Sequence, residues 1–249
     1  MKEQVVINGL LINFYKFSGK GDGVLIFLHG WRSNGLVWQN AALKLAKDGF
    51  LVYALDLPGF GESALPKNAF TLQDYADIVT QFLKKTGIKK ATLIGHSFGG
   101  RISIMLSATK PELVEKVVLV DSAGLILNRR TALKTIAKLV KPFFKPKFMK
   151  TVREKIYEKI GAEDYVATPE LRETFLNLIN EDLTNYLPKI KQPVLLIWGD
   201  KDKDAPIEAA ALMHQNIKNS KLVILENTGH FSFLDKPDQF YKELIKFIC

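Results

Sequence analysis

The chain is poor in several features that would assign it to a specialised class of protein. Its 249 residues include one cysteine, Cys249, so no disulfide can form within the chain and we expect a reducing compartment, the cytoplasm. No apolar run approaches the roughly 20 residues of a membrane-spanning helix, and the first residues lack the apolar region of a secretory signal. Because no linker-like tract rich in Ser, Gly or Pro interrupts the chain, the sequence predicts one continuous core.

Sequence patterns for metal and cofactor binding are missing as well. The four histidines are scattered, no H-E-x-x-H pattern occurs, and no second cysteine is present to act as a paired ligand. Gly19, Gly21 and Gly23 are not followed by the helix that a nucleotide-binding fingerprint requires, so we expect a hairpin-type connection there. The sequence therefore predicts neither a metal nor an organic cofactor.

Positive charge is concentrated in one segment. The formal net charge is +9, and residues 129–159 contain eleven Lys or Arg against two Glu, which leaves the remainder of the chain neutral. A charge confined to one stretch, with no recognisable reading motif, disfavours nucleic-acid binding. Two interpretations of this basic segment stay open. It is either a solvated lysine face or a weak contact site for an anionic membrane surface, an acidic substrate or a partner.

Short runs of β-branched and aromatic residues alternate with segments of helical period. This alternation is typical of an α/β fold with a mostly parallel sheet flanked by helices. Asn8-Gly9 predicts a hairpin between the first two strands. The eight predicted strands are Gln4–Ile7, Leu11–Phe17, Val24–Leu28, Phe50–Leu55, Ala91–Ile94, Lys116–Val120, Val194–Trp198 and Leu222–Leu225. The predicted helices lie near residues 36–48, 71–86, 98–109, 206–216 and 237–248.

The segment from 125 to 188 breaks this alternation. It contains two or more amphipathic helical patterns, interrupted by the proline-containing stretch 141–146. One helix face is marked by apolar residues at a spacing of four: Phe148, Val152, Ile156 and Ile160. We therefore predict an α/β core formed by residues 1–124 and 189–249, with residues 125–188 inserted as a helical cap.

The most informative motif is G-H-S-F-G at residues 95–99. It follows an apolar run and precedes a helical pattern, so it predicts a strand, a sharp turn and a helix with Ser97 at the apex. A serine on such a strained turn needs neighbours without a Cβ atom, which Gly95 and Gly99 provide. A serine hydroxyl becomes a useful nucleophile only if a base, an acid and an oxyanion hole lie close to it.

Further polar motifs follow the other predicted strands, at the edge where open α/β sheets bind ligands. His29-Gly30-Trp31 follows the third strand, the segment 56–63 follows the fourth, the acidic loop 200–204 follows the seventh, and His230 follows the eighth. Together with the serine motif, these loops and their order resemble the α/β-hydrolase fold superfamily. The resemblance extends from the first hairpin to the last helix, apart from the more variable cap.

The resemblance implies a catalytic triad. Ser97 resembles the nucleophile, His230 the general base, and Asp202 the acid that orients the imidazole, since it lies three residues after the glycine of its loop. The alternatives for the acid are Asp200, Asp204 and Asp121.

The resemblance also implies residues around the triad. The backbone N–H groups of Trp31 and Phe98 are expected to form the oxyanion hole. His29, Arg32 and His96 are candidates for lining a substrate pocket. Each has a structural alternative: support of its own loop for His29, pairing with a surface acid for Arg32, and packing near the elbow for His96.

These roles indicate a serine hydrolase that cleaves carboxylic esters through an acyl-enzyme, with a small ester or related acyl compound as substrate. Serine at the apex disfavours the epoxide hydrolases and haloalkane dehalogenases of the superfamily, which use aspartate there. The alternatives are a C–C hydrolase of the ring-cleavage-product type, a lactonase, and a slow-turnover ligand receptor with the same fold. The C–C hydrolases usually have Asn in place of His96 and often Trp in place of Phe231.

Overall fold

An eight-stranded sheet forms the centre of the molecule in the computed structural model, which describes residues 1–21, 23–127, 164 and 167–249. Its strands are β1 Lys2–Ile7, β2 Leu10–Phe17, β3 Val24–Leu28, β4 Leu51–Leu55, β5 Ala91–His96, β6 Val114–Val120, β7 Val194–Gly199 and β8 Ser220–Leu225. Their spatial order is β1-β2-β4-β3-β5-β6-β7-β8. The β1–β2 and β2–β4 pairs are antiparallel, and the pairs from β4 to β8 are parallel. The predicted α/β class is confirmed.

Helices cover both faces of this sheet. The described helices are α1 Gln39–Lys47, α2 Leu72–Lys85, α3 Phe98–Thr109, α4 Arg172–Asn180, α5 Ile207–Asn216, α6 Ser232–Asp235 and α7 Pro237–Ile248. The core on one face is formed with α2, α3 and α5, and the core on the other face with α1 and α7. Because both faces are covered, the inner strands are continuous apolar runs, as in β7, where every residue is buried. Within the described ranges, no helix has the length and apolarity to cross a membrane.

The connection between β2 and β3 differs from the sequence prediction. β4 lies between these two strands in the sheet, so the expected hairpin-type connection at Gly19, Gly21 and Gly23 is wrong. The connection instead follows the chain that enters β4. Gly19 N–H donates to Phe50 O at 3.0 Å and Gly21 N–H donates to Gly49 O at 2.7 Å. A Cβ atom at Gly19 would lie 2.2 Å from the backbone of Gly49, so glycine is required by this close approach.

The described part of the predicted insert 125–188 packs against the core. The hydroxyl oxygen of Thr174 on α4 accepts a hydrogen bond of 2.9 Å from Phe70 N–H. The buried guanidinium of Arg101 on α3 donates to the main-chain oxygens of Leu178 and Glu181, at the carboxyl end of α4. A cation is favourable there, because the helix dipole places negative charge at that end. The C-terminal part of the insert is therefore attached to the helix that begins at the serine turn.

Several predictions for the insert lie outside the described residues. They are the helix face at Phe148, Val152, Ile156 and Ile160, the proline-containing stretch 141–146 and the basic segment 129–159. The bounds of the cap therefore stay a prediction.

The packing of Trp38 in the core formed with α1 and α7 leads to a stability prediction. Its side chain is 0% exposed and its ring stacks on Phe233 with centroids 4.1 Å apart. We expect Trp38→Ala to lower the free energy of unfolding by about 3–5 kcal/mol, because it removes buried area and leaves a cavity. Leu43→Ala on α1, where the leucine is 43% exposed, is the control and should change it by less than about 0.5 kcal/mol. Denaturant titration measures both; equal effects would contradict this packing.

Candidate active site

Ser97 lies on the sharp turn between β5 and α3, as the motif predicts. Its φ of +48° and ψ of −108° are strained for a residue with a side chain. Two main-chain hydrogen bonds hold this conformation. Ser97 N–H donates to Val120 O at 3.1 Å, and Ala123 N–H donates to Ser97 O at 3.2 Å. The turn is therefore fixed by the end of the neighbouring strand β6.

The glycines of the motif are required by close backbone approach. A Cβ atom on Gly95 would lie 2.4 Å from the main-chain oxygen of Gly99. A Cβ atom on Gly99 would lie 2.2 Å from the main-chain oxygen of Leu28. Real Cβ atoms cannot come this close to backbone atoms, so the helix can start directly above the sheet only with glycine at both positions.

Asp202 and His230 are joined by a hydrogen bond of 2.8 Å between Asp202 Oδ2 and His230 Nδ1. The Asp202 side chain is 0% exposed, and its Oδ1 accepts from the N–H groups of Asp204 and Ala205 at 2.8 and 2.9 Å. An ionised carboxylate only accepts hydrogen bonds, so Nδ1 of His230 carries the proton. The other ring nitrogen, Nε2, is left as the basic one.

The alternative acids make other contacts. Asp121 accepts hydrogen bonds from Gly199 and Ser232, and Asp200 accepts one from a main-chain N–H. In the part of the chain that the structure describes, neither carboxylate bonds to the His230 ring. Asp204 lies near that ring, but the described hydrogen bond of His230 Nδ1 is to Asp202, so the geometry favours Asp202.

The serine turn and the His230 loop are connected through His96. His96 Nε2 lies 2.7 Å from the main-chain oxygen of His230, and since that oxygen only accepts, Nε2 carries the proton. The two imidazole rings have centroids 4.8 Å apart. Among the described hydrogen bonds, none joins Ser97 Oγ to His230; such contacts often tighten only when substrate binds.

His29 supports the loop that follows β3. Its Nε2 accepts from Leu57 N–H at 2.9 Å, so its Nδ1 carries the proton and donates to Gly30 O at 2.7 Å. Burial lowers the pKa of His29 to about 4, and burial together with the nearby His230 lowers the pKa of His96 to about 3. Both rings are therefore neutral at pH 7.

Main-chain contacts hold His29 and His96, and Arg32 lies at the surface. His29 is 0% exposed and His96 1%, which agrees with the structural alternative for each; a pocket-lining role stays a prediction. Arg32 is exposed, and its Nη1 lies 3.4 Å from Asp164 Oδ1. This ion pair is the surface-acid alternative for Arg32, and exposed pairs of this kind contribute little to stability.

The backbone N–H groups of Trp31 and Phe98 lie beside the serine turn. A Cβ atom on Gly30 would lie 3.4 Å from Ser97 Cβ, which shows how closely the two loops approach. Among the described residues, neither N–H donates a hydrogen bond within the protein. The Phe98 N–H is also the first of α3, where the helix dipole favours negative charge. This pair of donors suits a developing oxyanion.

An aromatic cluster surrounds these two residues. The Trp31 ring has centroid distances of 4.7 Å to Phe60, 5.5 Å to Phe98 and 5.3 Å to Phe175. Tyr75 packs edge-on against Phe98 at 4.8 Å. Phe175 belongs to α4, and no motif in the sequence marks it as a site residue. The cluster is an apolar wall formed jointly by the core and the insert.

The described residues contain one group of side chains with metal-ligand geometry. Ligand atoms of Asp202, Asp204 and His230 lie within 4.8 Å of one another. Two of these residues already form the His–Asp hydrogen bond, which a cation between them would break. The group is therefore better described as an acid–base pair.

The charges around His230 determine its protonation. Burial alone would lower its pKa, but the hydrogen bond and negative charge of Asp202, with smaller effects of Asp204 and Asp121, raise it above the ordinary 6.5. A raised pKa means that the imidazolium form is stabilised by its carboxylate neighbours. His230 therefore differs from His29 and His96, whose burial is not offset in this way.

This difference predicts the titration of His230. In Asp202→Asn the largest stabilising charge is lost while the ring stays buried, so the pKa of His230 should fall. NMR titration of the imidazole C–H signals of wild type and variant measures this change. An unchanged His230 pKa in the variant would contradict the described pair.

Comparison with known proteins agrees with this arrangement. A family model described as alpha/beta hydrolase fold matches residues 23–161 and 170–237. The uncharacterized hydrolase YugF of Bacillus subtilis (strain 168) is 28% identical over 264 residues, which cover 97% of this chain and 96% of that protein. A pimeloyl-[acyl-carrier protein] methyl ester esterase of Nitrosospira multiformis is 29% identical over 256 residues, which cover 90% of this chain and 93% of the relative.

A solved structure is also similar over the whole chain. The structure of a membrane phospholipase A, a bacterial virulence factor, superposes with a TM-score of 0.81 and 26% identity, covering 100% of this chain and 85% of that one. The resemblance that the loop motifs indicate is thus confirmed, and the chain belongs to the alpha/beta hydrolase fold family, whose matching members include esterases and other hydrolases.

Proposed function

We propose that this protein hydrolyses carboxylic esters through an acyl-enzyme formed on Ser97. The observation that carries the proposal is the 2.8 Å hydrogen bond between Asp202 Oδ2 and His230 Nδ1, because it leaves Nε2 as a base facing away from the acid. The relatives named as methyl ester esterases, 28–29% identical over at least 90% of this chain, support the same chemistry.

In the acylation step, Ser97 Oγ attacks the ester carbonyl carbon while its proton moves to His230 Nε2. The negative charge that develops on the carbonyl oxygen accepts hydrogen bonds from the N–H groups of Trp31 and Phe98. Asp202 stays ionised and stabilises the imidazolium. When the tetrahedral intermediate collapses, His230 Nε2–H transfers its proton to the alkoxide oxygen, the alcohol leaves, and the acyl group remains on Ser97.

Deacylation repeats these steps with water as the nucleophile. His230 Nε2 takes a proton from the water as its oxygen attacks the acyl carbon, and the same two N–H groups stabilise the second oxyanion. The proton returns to Ser97 Oγ as the carboxylic acid is released. The residues thus supply nucleophile, base and electrostatic stabilisation, and no cofactor takes part in the proposed cycle.

The aromatic cluster supports an apolar acyl group in the substrate. The half-buried rings of Trp31 and Phe175 contact each other beside the proposed oxyanion hole and expose mainly carbon atoms, with the buried ring of Phe98 packed against Trp31. Burying an aliphatic chain against such a surface is favourable by about 0.8 kcal/mol per CH₂ group. We therefore propose esters with aliphatic or aromatic acyl groups as the substrate class.

The first test replaces the proposed nucleophile. Ser97→Ala should reduce kcat for p-nitrophenyl acetate and butyrate by about 10³-fold or more, because no covalent intermediate can form. Ser107→Ala is the matched control, since Ser107 lies further along α3 and its hydroxyl donates to the Ser103 main-chain oxygen, the one partner it has among the described residues. Its kcat should stay within about twofold of the wild-type value. Undiminished activity of Ser97→Ala would contradict the proposal.

The test also distinguishes the alternative reactions. If wild type hydrolyses none of the esters but opens lactones or cleaves vinylogous diketones in a Ser97-dependent way, the protein is a lactonase or a C–C hydrolase. Stoichiometric acylation without turnover would indicate a ligand receptor.

The pH dependence of ester hydrolysis provides a second prediction. His230 must be neutral to accept the Ser97 proton, so kcat/KM should rise with pH through an apparent pKa above 6.5, as expected from the carboxylates around the ring. A rate profile with the buffer ionic strength held constant measures this value. An acid limb below pH 6 would contradict His230 as the base.

The contact of the basic segment 129–159 with anionic surfaces stays a prediction. Co-sedimentation with phosphatidylglycerol vesicles at low and high salt tests it. Binding that disappears in high salt supports surface contact, and absence of binding supports a solvated lysine face.

A further inference from the structure

The end of β6 contacts all three loops of the proposed triad. Its main chain holds the serine turn, since Val120 O accepts from Ser97 N–H and Ala123 N–H donates to Ser97 O. Between these two residues lies Asp121, with a φ of +45°, in the left-handed region that residues with side chains seldom adopt. Its N–H donates to Ile197 O at 3.0 Å, which ties this conformation to β7.

The Asp121 carboxylate extends this contact to the other two loops. Its Oδ1 accepts from Gly199 N–H at 2.8 Å, and the Gly199 oxygen in turn accepts from Asp202 N–H at 3.3 Å. Its Oδ2 accepts from Ser232 N–H at 3.0 Å and from Ser232 Oγ–H at 2.6 Å. Ser232 lies two residues after His230. The Asp121 side chain thus accepts a hydrogen bond from the Asp202 loop with Oδ1 and hydrogen bonds from the His230 loop with Oδ2.

The Asp121 carboxylate is costly to bury. The residue is 0% exposed, and within the described residues no Lys or Arg forms an ion pair with it. Burial raises the pKa of its carboxyl to about 7, against the hydrogen bonds from Ser232 and Gly199, which lower it. Both main-chain partners are donors, so the ionised form fits this site. A buried ionised group held by donors from two loops is suited to fixing their relative position.

We propose that Asp121 is a positioning residue, whose carboxylate holds the Asp202 and His230 loops against the serine turn. The inference rests on the ester hydrolysis proposed above and adds to it a residue that does not touch the substrate. The negative charge of Asp121, together with those of Asp202 and Asp204, raises the pKa of His230. His96, whose ring also packs against His230, is neutral.

Asp121→Asn tests the inference with almost no change in shape. Asparagine has one acceptor oxygen, so its NH₂ group must face either the Gly199 N–H or the Ser232 N–H, and one of the two main-chain hydrogen bonds is lost. With p-nitrophenyl acetate well above pH 7, kcat should fall by about 10–100-fold, because small displacements of catalytic groups are costly, while KM changes by less than about threefold. The acid limb of kcat/KM should move to lower pH, since one negative charge near His230 is removed.

Asp56→Asn is the matched control. Asp56 is also 0% exposed and accepts main-chain hydrogen bonds, from Gly35 at 2.7 Å and Glu62 at 2.9 Å, but it holds the loop after β4. Asp56→Asn should lower the melting temperature, as Asp121→Asn does, but it should leave the apparent pKa of the acid limb of kcat/KM unchanged. A shift of the limb in both variants would mean that loss of a buried carboxylate acts through general destabilisation, which would overturn the inference.

The remaining outcomes are also decisive. If Ser97→Ala stays active, the ester hydrolysis proposal itself fails. If Ser97→Ala is inactive while folded Asp121→Asn keeps the wild-type kcat and acid limb, only the positioning role fails. Should Asp121→Asn not fold, Ser232→Ala decides, because it removes the Oγ–Oδ2 hydrogen bond alone. It should lower kcat by about 3–10-fold, and an unchanged kcat and acid limb would overturn the inference.

Discussion

The close approach of β3, β5 and α3 at the serine turn is the constraint on which the site depends. α3 starts so near the sheet that a Cβ atom on Gly99 would meet the backbone of Leu28. Phe98 is the first residue of this helix, and its N–H donates no hydrogen bond among the described residues, while the Gly30–Trp31 loop lies beside Ser97. The proposed oxyanion donors and the proposed nucleophile therefore result from one piece of backbone geometry, stabilised by the end of β6.

The surroundings of each histidine decide what it can do. Among the described residues, His29 and His96 are buried and have no carboxylate hydrogen-bonded to them, so they are neutral and act as donors or acceptors of main-chain hydrogen bonds. His230 is also largely buried, but Asp202 holds its Nδ1 and stabilises the charged ring. Two histidines thus support loops and the third is the proposed base, and the main difference between them is the carboxylate of Asp202 that is hydrogen-bonded to His230.

Most of the fold was predictable, because strands buried on both faces form uninterrupted apolar runs between helices of clear period. β3, α3 and α7 have the predicted bounds, and the other predicted elements of the core differ by at most three residues at an end. The prediction for Gly19 to Gly23 was wrong because glycines indicate only that the backbone turns sharply or approaches another segment. They do not indicate which strands become neighbours, since strand order depends on long-range pairing. Ser97, Asp202 and His230 could be proposed from sequence, since each lies in a short motif at a strand end.

The sequence by itself determined the fold family, the serine turn and the order of the loops that follow the strands, because these depend on local patterns of apolar residues and glycines. Only the tertiary structure decided which carboxylate pairs with His230, that His29 and His96 are held by main-chain groups, and that Phe175 joins the aromatic cluster. It also decided the contacts of Asp121 with both other loops. These features depend on distances between segments far apart in the chain, and the pattern within one segment carries no information about them.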